Sequence, residues 1–478
     1  MLIKLKVQNL ISLFIGLFLC LNIYAGEDLP APKNIIFFIS DGMGYNHVDA
    51  TSYYQYGESG TQIYEASDWV SLAMATYPAV VNIDNGDTVY AAGYNPRKAM
   101  TEHTYVKRDY TGSAASATAL STGIKVHARS IGIGLQGDTL HHLSQSAKAL
   151  GKSTGIVASV PFNHATPAGF AAHQEDRSNY GEIAEYLFFN TKLDLIMGAG
   201  HPEFDNNGNP SEPNYHYVGC DIIWQKMTAN NGQTVFERDG QTLQVKDATG
   251  DGNPDPWHFI QTREEFKELA QGKTPNRILG IPQVYATLHY ARDRKPDSTN
   301  PFDTPLTESV PTLEEMTRAS LNVLSQNPNG FFVMIEGGAV DWAAHDNESD
   351  RLIEEQIDFN KSVEAAVEWV EENSCWDETL IIVTSDHECG YLTGPGEPDP
   401  LYPPVENKGK GNLPGMQWNV DHHTNKLVPF YAKGAGSEYF ELFAGEYDPA
   451  RGPFIQNTTI PAVIFMMWDN GSFLNIVY

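Results

Sequence analysis

NIIFFISDGMG, residues Asn34 to Gly44, carries five consecutive apolar residues, Ile35 to Ile39, and then stops on Ser40, Asp41 and Gly42. Successive strand residues point to opposite faces, so an unbroken β-branched and aromatic run is buried on both. Strands of that kind belong to a parallel sheet covered by helices. Three further runs have the same character: STGIVASVPFNHATP from Ser153, GFFVMIEGG from Gly330 and TLIIVTSDHECG from Thr379. Helical patterns lie between them, in LHHLSQSAKALG from Leu140 and in the long stretch from Asp350 to Asn373. Strand–helix alternation predicts an α/β fold, three layers around a mostly parallel central sheet.

In open α/β sheets ligands bind beyond the carboxyl ends of the strands. The four runs deliver Asp41, His164 with Thr166, Glu336, and Asp386 with His387 at those ends. One polar residue after a strand is an accident; four strands doing so predict a site.

The net charge of −29 over 478 residues argues against nucleic acid or an anionic membrane as partner. Residues 1–25 read as a signal peptide. Lys4 and Lys6 precede an apolar run from Leu10 to Leu21, too short to span a bilayer, and Ala25 offers the cleavage site. The mature chain, 26–478, is then expected to be periplasmic or secreted, with no membrane attachment. It keeps Cys220, Cys375 and Cys389, an odd and widely spaced set that is no disulfide framework; one pair stays open beside the reading of small buried residues. Gly, Asn, Asp and Pro are dense from about 201 to 300, which reads as an insertion, and again in an irregular loop from about 394 to 422. Asp247, Asp251 and Asp255 alternate as in a calcium loop but lack its terminal glutamate, and read as a solvated turn.

Asp341 and His345 stand four apart in EGGAVDWAAHDN, on one face of a helical turn where both can grip one ion. His423 precedes another apolar run. Carboxylate with imidazole suits zinc; the oxygens of Asp41, Thr166 and Glu336 suit a harder cation such as magnesium. Ser113 opens GSAASATALSTG, a helix of small residues whose unpaired N-terminal amides favour an alkoxide or a phosphate. A serine hydroxyl needs activation, and the sequence places no histidine as its base.

Seven blocks in order, SDGMG, GSAASATALSTG, NHATP, HQEDR, IEGGAVDWAAH, TSDHECG and HHTNK, resemble the alkaline phosphatases of the bacterial three-metal type. The resemblance implies hydrolysis of small-molecule phosphate monoesters, with broad specificity, through a phosphoserine on Ser113, and a homodimer. It implies two zinc ions, one held by Asp341, His345 and His423, the other by Asp41, Asp386 and His387 beside Ser113. A third ion, magnesium, would take Asp41, Thr166 and Glu336, and Arg177 of HQEDR would clamp two phosphate oxygens. With those ions and Arg177 the site is formally about +3, which suits a phosphate dianion.

The chain departs from the pattern at three places. Gly112 stands where many relatives have an Asp that orients the arginine, so Arg177 is expected to be looser. His164 stands where some have Asp and Trp342 where some have Lys. His164 is expected to act through water or as a weak ligand, which leaves the third metal's identity open. Two rivals remain: a sulfatase, whose local motif is absent around Ser113, or a phosphodiesterase, whose substrate lacks one of the oxygens that Arg177 would take; and a phosphate or metal binder that has lost turnover.

Overall fold

The computed structural model describes residues 31–84, 87–238, 240–396 and 403–468. The expected signal peptide lies outside the described residues, as does part of the 394–422 loop.

Eleven strands form one sheet: β1 Asn34–Ser40, β2 Val70–Ala75, β3 Ser153–Pro161, β4 Leu195–Ala199, β5 His258–Ile260, β6 Ile278–Gly280, β7 Phe331–Gly337, β8 Thr379–Thr384, β9 Val428–Gly434, β10 Glu446–Asp448 and β11 Gly452–Gln456. Their spatial order is β10-β11-β2-β9-β8-β1-β7-β3-β4-β6-β5. From β8 to β5 every neighbouring pair is parallel, and antiparallel pairs occur only toward the β10 edge.

Alternation along β1 divides the core in two. Ile35, Phe37 and Ile39 pack with α1 Ser113–Thr122, α2 Leu143–Ala149 and a C-terminal helix Thr459–Trp468. Ile36 and Phe38 pack on the other face with α4 Leu313–Leu324 and α6 Ser349–Asn373. Three layers follow: helices, sheet, helices.

The 201–300 stretch does more than decorate the surface, because β5 and β6 inside it form the outer edge of the sheet. Each is three residues long, below the length at which a sequence pattern declares a strand. The expected turn at Asp247–Asp255 is exposed. Asp247 accepts from the amides of Gly250 and Gly252, and Asp255 from those of Ala248 and Thr249, so backbone donors occupy these carboxylates.

Candidate active site

Four adjacent strands, β8, β1, β7 and β3, run parallel and end together. Asp41 follows β1, Glu336 is the next-to-last residue of β7 and pairs in register with Ile39, and Asp386 and His387 follow β8. The chain after β3 brings His164, and Thr166 in the short helix α3, Ala165–Gly169. Gly42 turns the chain after β1 at φ +79°, and a Cβ there would lie 2.9 Å from Asp341 Cα. Only glycine lets the helix α5, Ala339–His345, bring Asp341 so close. His423 comes from the far side of the irregular loop, held by a two-residue ribbon in which Glu388–Cys389 pairs with His423–Thr424.

Ser113 is the first residue of α1, and every residue of that helix is buried. The small residues serve close packing: a Cβ on Gly169 of α3 would stand 2.6 Å from Ala117 Cβ. Ser116 Oγ donates to the Asp386 carbonyl at 2.6 Å, fastening α1 to the end of β8. The helix stops at Gly123 in the left-handed conformation, φ +80°.

The fold does place a histidine beside Ser113. His387 Nε2 lies 3.3 Å from Ser113 Oγ, a contact across 274 positions that spacing could not reveal. The same nitrogen lies 3.1 Å from Asp386 Oδ2 and 3.5 Å from Asp41 Oδ1. His387 Nδ1 is buried without a partner. A serine–histidine–aspartate triad uses one ring nitrogen for the serine and the other for the carboxylate. Here hydroxyl, imidazole and two carboxylates converge through one nitrogen, the arrangement of ligands around a cation. Burial, and then the neighbouring His423, hold His387 well below the ordinary imidazole range, so it is neutral and able to ligate.

A second cluster repeats this logic. His345 Nε2 and His423 Nε2 lie 3.0 Å apart, and each is 3.4 Å from an oxygen of Asp341. Their Nδ1 atoms are tied to the carbonyls of Asp421 and Thr111 at 2.6 and 2.8 Å, which fixes the tautomer and turns both Nε2 lone pairs inward. Burial raises the Asp341 carboxyl, but His423 and His345 outweigh it and hold the group well below its usual range. Burial likewise lowers His345, and Asp341 outweighs that to push it up to about 9.

The third cluster is Asp41, Glu336 and His164, whose ligand atoms lie within 4.8 Å of one another. Both oxygens of Asp41, both of Glu336, Thr166 Oγ1, Asp386 Oδ2 and His164 Nδ1 are buried without a hydrogen-bond partner. Buried carboxylate oxygens in native proteins are satisfied, and so dense a set of bare oxygens fits divalent cations. Burial, then the charges of Asp386, Asp341 and Glu336, raise Asp41 well above its ordinary value. Burial, then Asp386, push Glu336 up to about 8.

Arg177 Nη1 donates to Ser113 Oγ at 3.4 Å, and its Nη2 donates to His164 Nε2 at 2.9 Å. The expected looseness of Arg177 therefore gives way to a different support. His164, instead of an Asp at 112, holds the guanidinium. Burial, then Arg177 itself, lower His164 to about 3, so it stays neutral and can accept.

A cleft of about 350 Å³ opens over these groups, lined by Ser113, His164, Arg177, Asp341, Trp342, His345, Asp346 and His423. Trp342 meets the His164 ring edge to face at 5.8 Å. Two residues here escape a reading of the sequence. Cys389, taken as a small buried residue, lies buried with a sulfur among the ligand atoms of Asp341, His345 and His423. Asp346 stands one position beyond His345, four beyond Trp342, and that spacing was its only signal. All three described cysteines are free, and only Cys389 is buried as expected: Cys220 is half-buried and Cys375 exposed.

A model of the alkaline phosphatase family matches residues 32–434. The alkaline phosphatase of Escherichia coli is 30% identical over 388 residues, 76% of this chain and 71% of that protein. Alkaline phosphatases 4 and 3 of Bacillus subtilis are 27% and 26% identical, and the matched part spans 64% and 61% of their own length. Among solved structures, the cold-active alkaline phosphatase of Shewanella sp. superposes with a TM-score of 0.61 at 22% identity, covering 91% of this chain and 98% of that one. The enzyme of the Antarctic bacterium TAB5 gives 0.59 at 21% identity, with 92% and 99% covered. With the three clusters at the strand ends, these likenesses agree with the fold described, and the chain belongs to the alkaline phosphatase family.

Proposed function

We propose that the protein hydrolyses phosphate monoesters, with Ser113 as nucleophile. The observation that carries this reading is the meeting of Ser113 Oγ, Arg177 Nη1 and His387 Nε2 at the head of a buried helix, above a floor of unpartnered carboxylate oxygens. Asp341, His345 and His423 would hold one zinc ion, and Asp41, Asp386 and His387 a second. Asp41, Glu336 and Thr166 would hold the third ion; His164, whose Nε2 accepts from Arg177 and whose Nδ1 therefore carries the proton, would lie beside it without ligating it directly. Magnesium is the natural choice for so many oxygens, and a TAB5 alkaline phosphatase variant has been solved with Mg bound in its M3 site. When bound, the ions supply Lewis-acid charge that favours ionised oxygens on the nucleophile, the leaving group and the attacking water.

The chain's own residues do the rest. Ser113 begins α1, so the unpaired amides and partial positive charge of the helix N-terminus favour the ionised serine oxygen and the phosphoryl group it receives. Arg177 spans nucleophile and His164, placed to take phosphoryl oxygens and hold the ester in line. The serine proton leaves with the alcohol, and water then releases inorganic phosphate and restores the hydroxyl. Two in-line displacements leave net retention at phosphorus.

Among the described residues no helix is long and apolar enough to cross a membrane. The leader at residues 1–25 supports export to the periplasm or medium, and the family resemblance supports a homodimer. The test is hydrolysis of p-nitrophenyl phosphate by the metal-loaded mature protein, with metal content measured. Turnover with two zincs and a third ion bound supports the reading. A fully loaded protein that turns over no monoester rules it out.

A further inference from the structure

A hydroxyl inside a helix commonly donates to the carbonyl one turn back, and two in α1 do so. Thr118 Oγ1 donates to the Ala114 carbonyl at 2.8 Å, and Thr122 Oγ1 to that of Thr118 at 2.7 Å. Ser116, one turn beyond Ser113, instead turns its proton out of the helix to the Asp386 carbonyl. Its oxygen in turn accepts from Asn457 Nδ2 at 3.3 Å. Asn457 is fully buried between β11 and the C-terminal helix. It stands past residue 434, where the match to the family model ends. Its amide has one orientation: the Thr76 carbonyl, 3.4 Å from Nδ2, can only accept, and Lys125 Nζ donates to Oδ1 at 2.8 Å. Lys125 is fixed in its turn, donating to the Tyr77 carbonyl at 2.6 Å with Nζ 3.8 Å from the centre of the Tyr77 ring. Burial lowers its ammonium to about 7, and ammonium and amine alike carry a proton for each of the two oxygens.

We propose that Asn457, oriented by Lys125, is a positioning residue for the phosphatase reaction: by occupying the Ser116 oxygen it keeps the Ser116 proton on the Asp386 carbonyl, and so fixes the helix that carries Ser113 against the strand end that carries Asp386 and His387. The inference rests on the phosphatase reading and deepens it. Asn457 touches no reacting atom. The Asp386 side chain has its own support, Oδ1 accepting from the amides of Gly42 and His387. What the relay sets is the spacing between two elements, across which Ser113 Oγ and His387 Nε2 stand 3.3 Å apart. Misplacement of reacting groups by about 1 Å costs on the order of a hundredfold in rate.

The test uses the metal-loaded protein and p-nitrophenyl phosphate. Asn457→Asp keeps the shape and a partner for Lys125, but it presents Ser116 with a carboxylate that accepts where an amide donated. The kcat should fall about tenfold, the lower end for a group that supports a metal ligand from behind, with KM and metal content little changed. Ser116→Ala should lose a similar factor, and the double variant no more than Ser116→Ala alone, because both act through one bond. Amide hydrogen exchange across residues 385–389 should quicken in both single variants. Should Asn457→Asp not fold, Asn457→Ala takes its place in the cycle with the same expectations. An unchanged kcat, losses that multiply in the double variant, or exchange that quickens only around residues 452–468 overturns the assignment and leaves the phosphatase intact. A loaded wild-type protein that turns over no monoester overturns the phosphatase reading, and this inference with it.

Discussion

Removing the metals should make the protein's stability depend on pH in a way the loaded protein does not. Burial and then Asp386 push Glu336 up to about 8; burial pushes Asp386 up to about 6 and Asp41 well above its ordinary value. All three ionise near pH 4 in the unfolded chain. Their folded values are raised, so the folded metal-free protein binds more protons than the unfolded chain from about pH 4 to about pH 8, and its stability falls across that window. Between pH 6 and pH 8, Glu336 and Asp386 together cost about 2–3 kcal/mol by linkage. In a chain of this size that is a fall of about 3 °C in Tm. Burial also raises Glu355 to about 8 and Asp358 to about 6, but they stand apart from the ligand clusters and titrate alike with and without metal. The loaded protein is therefore the reference. In it the site carboxylates are held ionised, and proton competition weakens metal binding as pH falls. Thermal melts at pH 6 and pH 8, with and without chelator, should show the penalty for chelation growing by at least that amount at the higher pH. A penalty equal at both values, or larger at pH 6, would refute the reading of these carboxylates as a cation site.

Three further outcomes follow from particular contacts. His164→Ala removes the acceptor that holds Arg177, and loss of a hydrogen bond to a charged group, about 1.5 kcal/mol, should raise KM for p-nitrophenyl phosphate roughly tenfold; an unchanged KM at full metal occupancy contradicts that role. Gly169→Ala puts a methyl 2.6 Å from Ala117 Cβ, so overpacking of about 1–3 kcal/mol should lower Tm and, by shifting α1, lower kcat; a protein as stable and active as the original would show that α1 and α3 pack more loosely than described. Gly112→Asp meets only the Ala128 carbonyl at 3.3 Å, at an ordinary φ of −104°, so it should fold and give Arg177 a carboxylate partner. Inhibition by inorganic phosphate should then tighten a few-fold, as expected for a partly exposed ion pair; weaker inhibition would mean that the new charge repels the phosphate more than it orients the arginine.

Much of this architecture is legible in the chain because burial on both faces leaves a mark that needs no partner to read. Ile35 to Ile39 declare a central strand by themselves, and Asp41, Glu336 and Asp386 gain meaning from their place at the ends of such runs. The contacts that escape are those made between distant segments. Nothing near Ser113 points to His387, and nothing near Arg177 identifies His164 as its support, since the two are 13 positions apart and the chain folds through α3 between them. Cys389 was masked by its type, because a buried cysteine away from other cysteines carries no spacing signal. The strands β5 and β6 were masked by brevity and by their polar surroundings. Composition marked 201–300 as different without revealing that two pieces of it complete the sheet.

On the proposed chemistry Ser113 accepts the phosphoryl group. The most direct measurement is an acid quench of the metal-loaded protein during turnover of a labelled monoester, followed by peptide mapping of the label. Label should appear on Ser113 in the native chain, with neither label nor appreciable hydrolysis in Ser113→Ala at unchanged metal content. Rapid hydrolysis by Ser113→Ala, or label mapping to another residue, would contradict it.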